Sequence, residues 1–297
     1  MRFMMMIKSN AQAEAGALPD EKLLSEMGKY NDELVAAGAL LAGEGIHPTS
    51  RGARVRLAGK EFSVTDGPFT EAKELIGGFW IIQVKSKAEA IEWARRVPGD
   101  EGEIELRPLF ELSDFPADPT EQPDGWRSQE QIFRDAAASP ATPPARKPGT
   151  TRFMITLKRD AKTETDELPS PKVLAEMGAL MGGLAHSGAL LAGEGLKPSS
   201  AGARVKLSGA ARAVVDGPFT EAKELVAGYL IVQVKSKADA IELAKRWLWI
   251  HVEGLALEAG QMDVRPLFEL SDFPVDPAEK ADGWRAQEQL FRERTGQ

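Results

Sequence analysis

Hydrophobic positions along the chain fall into short alternating runs interrupted by helical stretches, and the whole pattern occurs twice. Residues 2–8, an apolar run rich in methionine, predict a strand. After Leu18-Pro19-Asp20, the side chains Leu23, Leu24, Met27, Tyr30, Leu34 and Val35 recur at nearly helical spacing, which predicts a helix stopped by Gly38. Residues 39–46 predict a second strand ending at Pro48, and Val55 and Leu57 alternate across Gly59 with Phe62 and Val64, the pattern of a hairpin. Gly77-Gly78 opens the most apolar strand, 79–84; Ser86 then caps a helix carrying Ala90, Ile91 and Ala94, and a strand over 104–109 closes the unit.

The same unit follows again. Arg2-Phe3-Met4 returns as Arg152-Phe153-Met154, GALLAGEG at 38–45 returns at 188–195, and DGPFTEAKEL at 66–75 returns at 216–225, all at one offset. RPLFELSDFP at 107–116 returns at 265–274, so the second copy holds eight extra residues before its last strand. A duplication therefore made the chain, as units 1–137 and 151–297 joined by an Ala- and Pro-rich linker, 138–150, without apolar periodicity. Without its hairpin each unit reads β-α-β-β-α-β, the split-βαβ or ferredoxin-like order. A four-stranded antiparallel sheet with both helices on one face leaves the other face bare. The expected fold class is α+β: two ferredoxin-like units with an inserted β-hairpin, covering each other sheet to sheet as a pseudo-dimeric α+β barrel. Units lying side by side, each pairing its bare face with another chain, is the open alternative.

Composition narrows the function. The 297 residues include no cysteine, which removes disulfides, thiolate nucleophiles and cysteine-bearing metal sites. Lys plus Arg is 37 against 45 for Asp plus Glu, a net charge of −8 that opposes binding to nucleic acid. No stretch approaches the roughly 18 uninterrupted apolar residues of a membrane span. The opening MRFMMMIKSN lacks a signal peptide's long apolar region and cleavage site. A cytoplasmic protein with neither nucleic-acid nor membrane partner is expected.

The segments GALLAGEG, DGPFTEAKEL and GGFWIIQVKSKAEAIEWA resemble the YCII-related family, specifically its DGPF-type branch. The resemblance covers both units almost end to end, apart from the linker and the tail after each SDFP. It implies a ferredoxin-like fold associated as a dimeric α+β barrel. Members are mostly described as enzymes of unsettled substrate, and DGPF-type members often accompany extracytoplasmic-function sigma factors. Other branches carry a histidine on the first helix, eleven residues before its terminating glycine, thought to act with an aspartate. Counting back from Gly38 and Gly188, this chain has Met27 and Met177 there, and a thioether cannot shuttle protons.

The repeated turn Asp66-Gly67-Pro68-Phe69, with Glu71 and Lys73 after it, and its twin Asp216 with Glu221 and Lys223, are the candidate catalytic groups, since a lysine among carboxylates can tune an acid or hold an anion. The competing reading makes each aspartate the acceptor of an Asx-type turn. Glu44 and Glu194, flanked by glycines, Arg2 and Arg152 at strand starts, and His47 are candidate ligand-binding residues; the carboxylates also read as solvated strand ends. Arg54, Arg204, Arg107 and Arg265 recur at strand ends too, where they suit a carboxylate or phenolate. His47 is Lys197 in the second copy, so a histidine-based metal site common to both is excluded, and neither metal nor cofactor is assigned. The tails 124–135 and 282–293 read as amphipathic helices. The extra residues of the second copy, in 247–261, bring Trp247, Trp249, Ile250, Leu255 and His251 together and are expected to lengthen the second helix and bury both tryptophans.

Two functions follow. One is a small-molecule-binding, acid–base catalytic protein acting on an anionic or phenolic ligand. The other is a non-catalytic regulatory or interaction protein linked to an extracytoplasmic-function sigma factor. Whether the chain is an enzyme, and whether the intramolecular pseudo-dimer self-associates further, the sequence leaves open.

Overall fold

The computed structural model describes residues 1–69, 74–115, 147–160, 164, 169–222 and 224–273. The tail helices expected over 124–135 and 282–293, most of the linker, and Glu71, Lys73 and Lys223 lie outside these residues.

The first unit runs β1 (Arg2–Lys8), α1 (Ala11–Glu14), α2 (Glu21–Ala36), β2 (Leu40–Gly45), β3 (Ala53–Ala58), β4 (Glu61–Asp66), β5 (Ile76–Gln83), α3 (Lys87–Arg95) and β6 (Glu101–Pro108). The second runs β7 (Thr151–Arg159), α4 (Pro171–His186), β8 (Leu190–Gly195), β9 (Ala203–Ser208), β10 (Ala211–Asp216), β11 (Leu225–Val234), α5 (Lys237–Gly254) and β12 (Ala259–Pro266). Side-chain caps start the four long helices: Asp20 accepts from the Leu23 N–H, Ser86 from Glu89, Ser170 from Val173 and Ser236 from Asp239. No helix among the described residues is long and apolar enough to cross a membrane.

The strands form two six-stranded antiparallel sheets, ordered β10-β9-β6-β1-β5-β2 and β4-β3-β12-β7-β11-β8. Each sheet thus takes four strands from one unit and its outer hairpin from the other: β3 pairs with β12, and β9 with β6. This exchange is not legible in the sequence, because a hairpin's own pairing is local and its docking partner is not. The sheets are joined at their corners by the bridges Ile46–Leu267 and Leu109–Leu196 without closing into a continuous barrel.

Strand alternation explains the layers. Phe3 and Met5 of β1 point to α2 and α3 in one core, which the other unit's Ala203, Val205 and Leu207 complete; Phe153, Ile155 and Leu157 do the same with Val55 and Leu57 in a second. The opposite faces meet each other, and Met4, Met6, Phe79, Ile81, Met154, Tyr229 and Ile231 form one core between the sheets. The facing-sheet expectation holds, with helices outermost on both sides.

The extra residues of the second copy do lengthen its second helix: α5 has 18 residues against 9 in α3. Trp247 is 3% exposed, but Trp249 is 37% exposed and lies beside Phe62 of the exchanged hairpin, ring centroids 6.3 Å apart. Burial of both tryptophans fails for a geometric reason, since residues two apart on an α-helix point roughly 200° from each other. Trp247→Ala should cost about 3–5 kcal/mol in chemical denaturation, and Trp249→Ala less than about 1 kcal/mol.

Candidate functional site

The DGPF turns sit at the outer ends of the exchanged hairpins. Asp66 ends β4, its side chain is 73% exposed, and its carboxylate accepts from Lys237 Nζ at 2.7 Å; Asp216 is equally exposed and meets Lys87 Nζ at 2.8 Å. Both lysines open helices of the opposite unit, so each aspartate ties a hairpin to its host. A catalytic role required these carboxylates in a cavity. As members of the outermost strands they face solvent instead, and Glu221 is exposed as well.

The rest of the motif faces inward. A Cβ on Gly67 would come within 1.8 Å of the Thr49 carbonyl oxygen, so only glycine lets the turn press onto the 3-10 turn Thr49–Arg51. The Phe69 N–H donates to Thr49 Oγ1 at 3.2 Å, and its ring lies 4.5 Å from the Arg54 guanidinium; Phe219 lies 4.1 Å from Arg204. Within the motif, the phenylalanine props an arginine that reaches between the sheets.

The ligand-binding candidates pair with one another across the units. Arg2 Nη1 meets Glu194 at 2.5 Å and also binds Glu111, while Arg152 binds Glu44, with Nη2 to Oε2 at 3.1 Å, and Glu269. Glu44 and Arg152 are buried, so neither is a solvated strand end. The glycine beside each glutamate has a packing reason too: a Cβ on Gly45 would meet the Phe268 ring at 3.0 Å, and on Gly195 the Phe110 ring at 3.2 Å. His47, stacked on Phe268 with centroids 3.9 Å apart, bonds Asp272 at 3.0 Å. Its counterpart Lys197 bonds Asp114 at 2.7 Å, so a carboxylate takes the same position in both halves. Burial, and then Arg51 nearby, hold the His47 imidazole below its ordinary value, although Asp272 pulls the other way.

Deeper between the sheets lie two charge clusters related by the duplication. In one, Glu105 of β6 receives Lys8 Nζ at 3.0 Å, Arg204 at 2.8 Å and Arg107 at 3.2 Å. Burial alone would raise the Glu105 carboxyl, but Lys8, Arg107 and Arg204 hold it down at about 2. In the other, Arg54 binds Asp263 at 2.7 Å and Glu224 through two contacts of 2.8 Å, and Arg265 donates to the His47 and Ile76 carbonyls. Lys158, also buried, approaches Asp263 only to 3.7 Å, a Coulombic contact longer than a hydrogen bond. Burial lowers the Lys158 pKa despite the attraction of Asp263 and Glu224.

A cavity of about 10 Å³ opens beside Lys158, lined by Ile46, Met154, Thr156, Asp263 and Arg265 among others. That is room for about one water molecule. Lys8, Lys158, Glu105, Asp263 and Thr156 escaped the sequence reading, which followed glycine- and proline-marked motifs. The available signal was the alternation itself: Phe3, Met5 and Ile7 on one face of β1 leave Lys8 on the other, in line with Met4 and Met6.

Two measurements separate structural from peripheral charge. Arg152→Ala, which removes a buried charge partner of both Glu44 and Glu269, should cost about 3–5 kcal/mol, whereas the exposed change Asp66→Asn should stay within about 0.5 kcal/mol. Because the folded-state pKa of Glu105 is depressed, its contribution is present in full above the ordinary value of 4.5 and is lost as pH falls toward about 2. Glu105→Gln should therefore lower the melting temperature at pH 7 and flatten its acid dependence between those two values.

The YCII-related domain matches this chain over residues 1–113 and again over 151–247. An uncharacterised protein of Rhizobium meliloti (strain 1021), R00369, is 34% identical over 93 residues, which is 30% of this chain and 75% of that protein. The two matched segments follow the sequence repeat: the first holds four strands of one sheet and the exchanged hairpin of the other, and the second holds β7, β8, β11 and its exchanged hairpin, ending before β12. The chain belongs to the YCII-related family and carries its domain twice.

Proposed function

We propose that the protein binds a very small oxygen-bearing molecule, about the size of formate and too small to be a phenol, in the space between its sheets at Lys158, and acts on it by acid–base chemistry. One observation carries this reading: a buried lysine whose pKa is lowered faces a cavity, beside a carboxylate that holds it at 3.7 Å without a hydrogen bond. An ammonium in that position attracts an oxygen anion, and with its pKa lowered Lys158 has more neutral amine at a given pH than an ordinary lysine, which lets it act as a base. Thr156 offers a hydroxyl to orient the ligand, and Asp263, fixed by Arg54, is the nearest base to exchange a proton with Lys158. The DGPF motif acts through this site by propping Arg54 with Phe69.

Methionine methyl NMR tests the reading, because Met154 lines the cavity while Met4 lies in the other unit's sheet. Titration with formate should shift the Met154 resonance saturably. Formate binding should weaken as pH rises and Lys158 loses its proton, and Lys158→Met should abolish the shift with the other methionine signals in place. A Met154 resonance that formate does not move, or a shift unchanged in Lys158→Met, overturns the reading.

A further inference from the structure

The two charge clusters descend from one sequence, so their differences show what the second has gained. Lys8 and Lys158 occupy the same position of β1 and β7, and Glu105 and Asp263 the same position of β6 and β12. In the first cluster Lys8 has two carboxylates in reach, Glu105 at 3.0 Å and Glu74 at 3.2 Å, and Met6, fully buried, is its neighbour on the same face. Three changes distinguish the second. Asp263 is one methylene shorter than Glu105 and stops 3.7 Å from Lys158. Glu224, the counterpart of Glu74, turns both oxygens to Arg54 at 2.8 Å. Thr156 stands where the first copy has Met6, and it lines the cavity with a short hydroxyl side chain instead of a long thioether. Each change loosens the lysine or makes space next to it.

We infer that Lys158, and not its twin Lys8, is a covalent amine site for small aldehydes or ketones, with Thr156 and Asp263 as the residues that distinguish the working half. This rests on the reading above and names the ligand's chemical class. The neutral amine nitrogen attacks the carbonyl carbon, and the carbonyl π pair goes to oxygen, which takes a proton. The resulting carbinolamine then loses water as the nitrogen lone pair forms the C=N bond. Asp263 is placed to receive the proton that leaves the ammonium and to return it to the departing hydroxyl, so no oxidant or reductant takes part. The lowered Lys158 pKa suits the attack, because each unit of depression raises the amine fraction about tenfold below the pKa. The cavity in this structure has room for about one water molecule, so formaldehyde, the smallest carbonyl compound, comes nearest to its size.

The test is reductive trapping on the full chain at pH 7 with limiting formaldehyde and cyanoborohydride, followed by peptide mapping for the added methyl group. Lys158 should be labelled at least about tenfold faster than Lys8, and ahead of the exposed lysines Lys22 and Lys172. Thr156→Met and Asp263→Glu, which install the residues of the first copy, should each bring Lys158 labelling down toward that of Lys8. Both substitutions reproduce a cluster that the chain already folds around, and an unchanged melting temperature verifies this. Labelling of Lys158 no faster than that of Lys8, or undiminished in both variants, overturns the inference. If Lys158 stays unlabelled while formate still moves Met154, the covalent step fails and the binding site stands; if neither occurs, both fail.

Discussion

Buried charge between the two sheets is the constraint on which the rest of the structure depends. An ion removed from water is strongly destabilising unless it is paired and hydrogen-bonded, and here the partners come from different repeats. Arg54 arrives on the hairpin of the first unit and meets Asp263 and Glu224 of the second; Arg204 arrives on the second unit's hairpin and meets Glu105 of the first. Arg152 with Glu44 and Arg2 with Glu194 make the same exchange at the other end of the strands. Each half supplies part of the pairing itself, as Lys8 and Arg107 do for Glu105, and the exchanged hairpins complete it.

This arrangement gives the DGPF motif a physical role that differs from the one its residue types suggest. Its aspartate is the exposed part, held by a helix-opening lysine of the other unit, while its glycine and phenylalanine do the inward packing. The motif fixes where the hairpin leaves its sheet and how Arg54 or Arg204 enters the interior. Acid–base chemistry, on this view, belongs to residues on the neighbouring strands whose charge those arginines balance.

Duplication within one chain also permits what two identical subunits cannot have, which is separate change in the two symmetry-related clusters. The first has kept Lys8 clamped between two glutamates. The second has shortened one carboxylate, turned the other away and traded a methionine for a threonine beside Lys158. The long α5, present only in the second half, reaches β3 and the other unit's hairpin through Trp249 and Phe62, so the outer helical layer has diverged along with the interior. Tight pairing in one cluster and a loosened lysine in the other fit a division between a structural and a working half.

The repeat, the order of the main strands and helices within each copy, the helix starts at Asp20 and Ser86, and the lengthening of the last helix were legible in the sequence. These rest on local periodicity, capping chemistry and self-similarity, all of which a single chain displays within a few tens of residues. Only the tertiary structure decided which sheet each hairpin joins, that Glu44 and Arg152 neutralise each other, that Asp66 faces solvent, and that Lys158 faces a cavity. Alternation told which side chains share a face of a strand, but not whether that face meets water, a helix or another sheet. For a charged side chain that distinction settles whether it is a solvated tip, half of a buried pair or a reactive group, because its solvation and its partners depend on residues a hundred or more positions away.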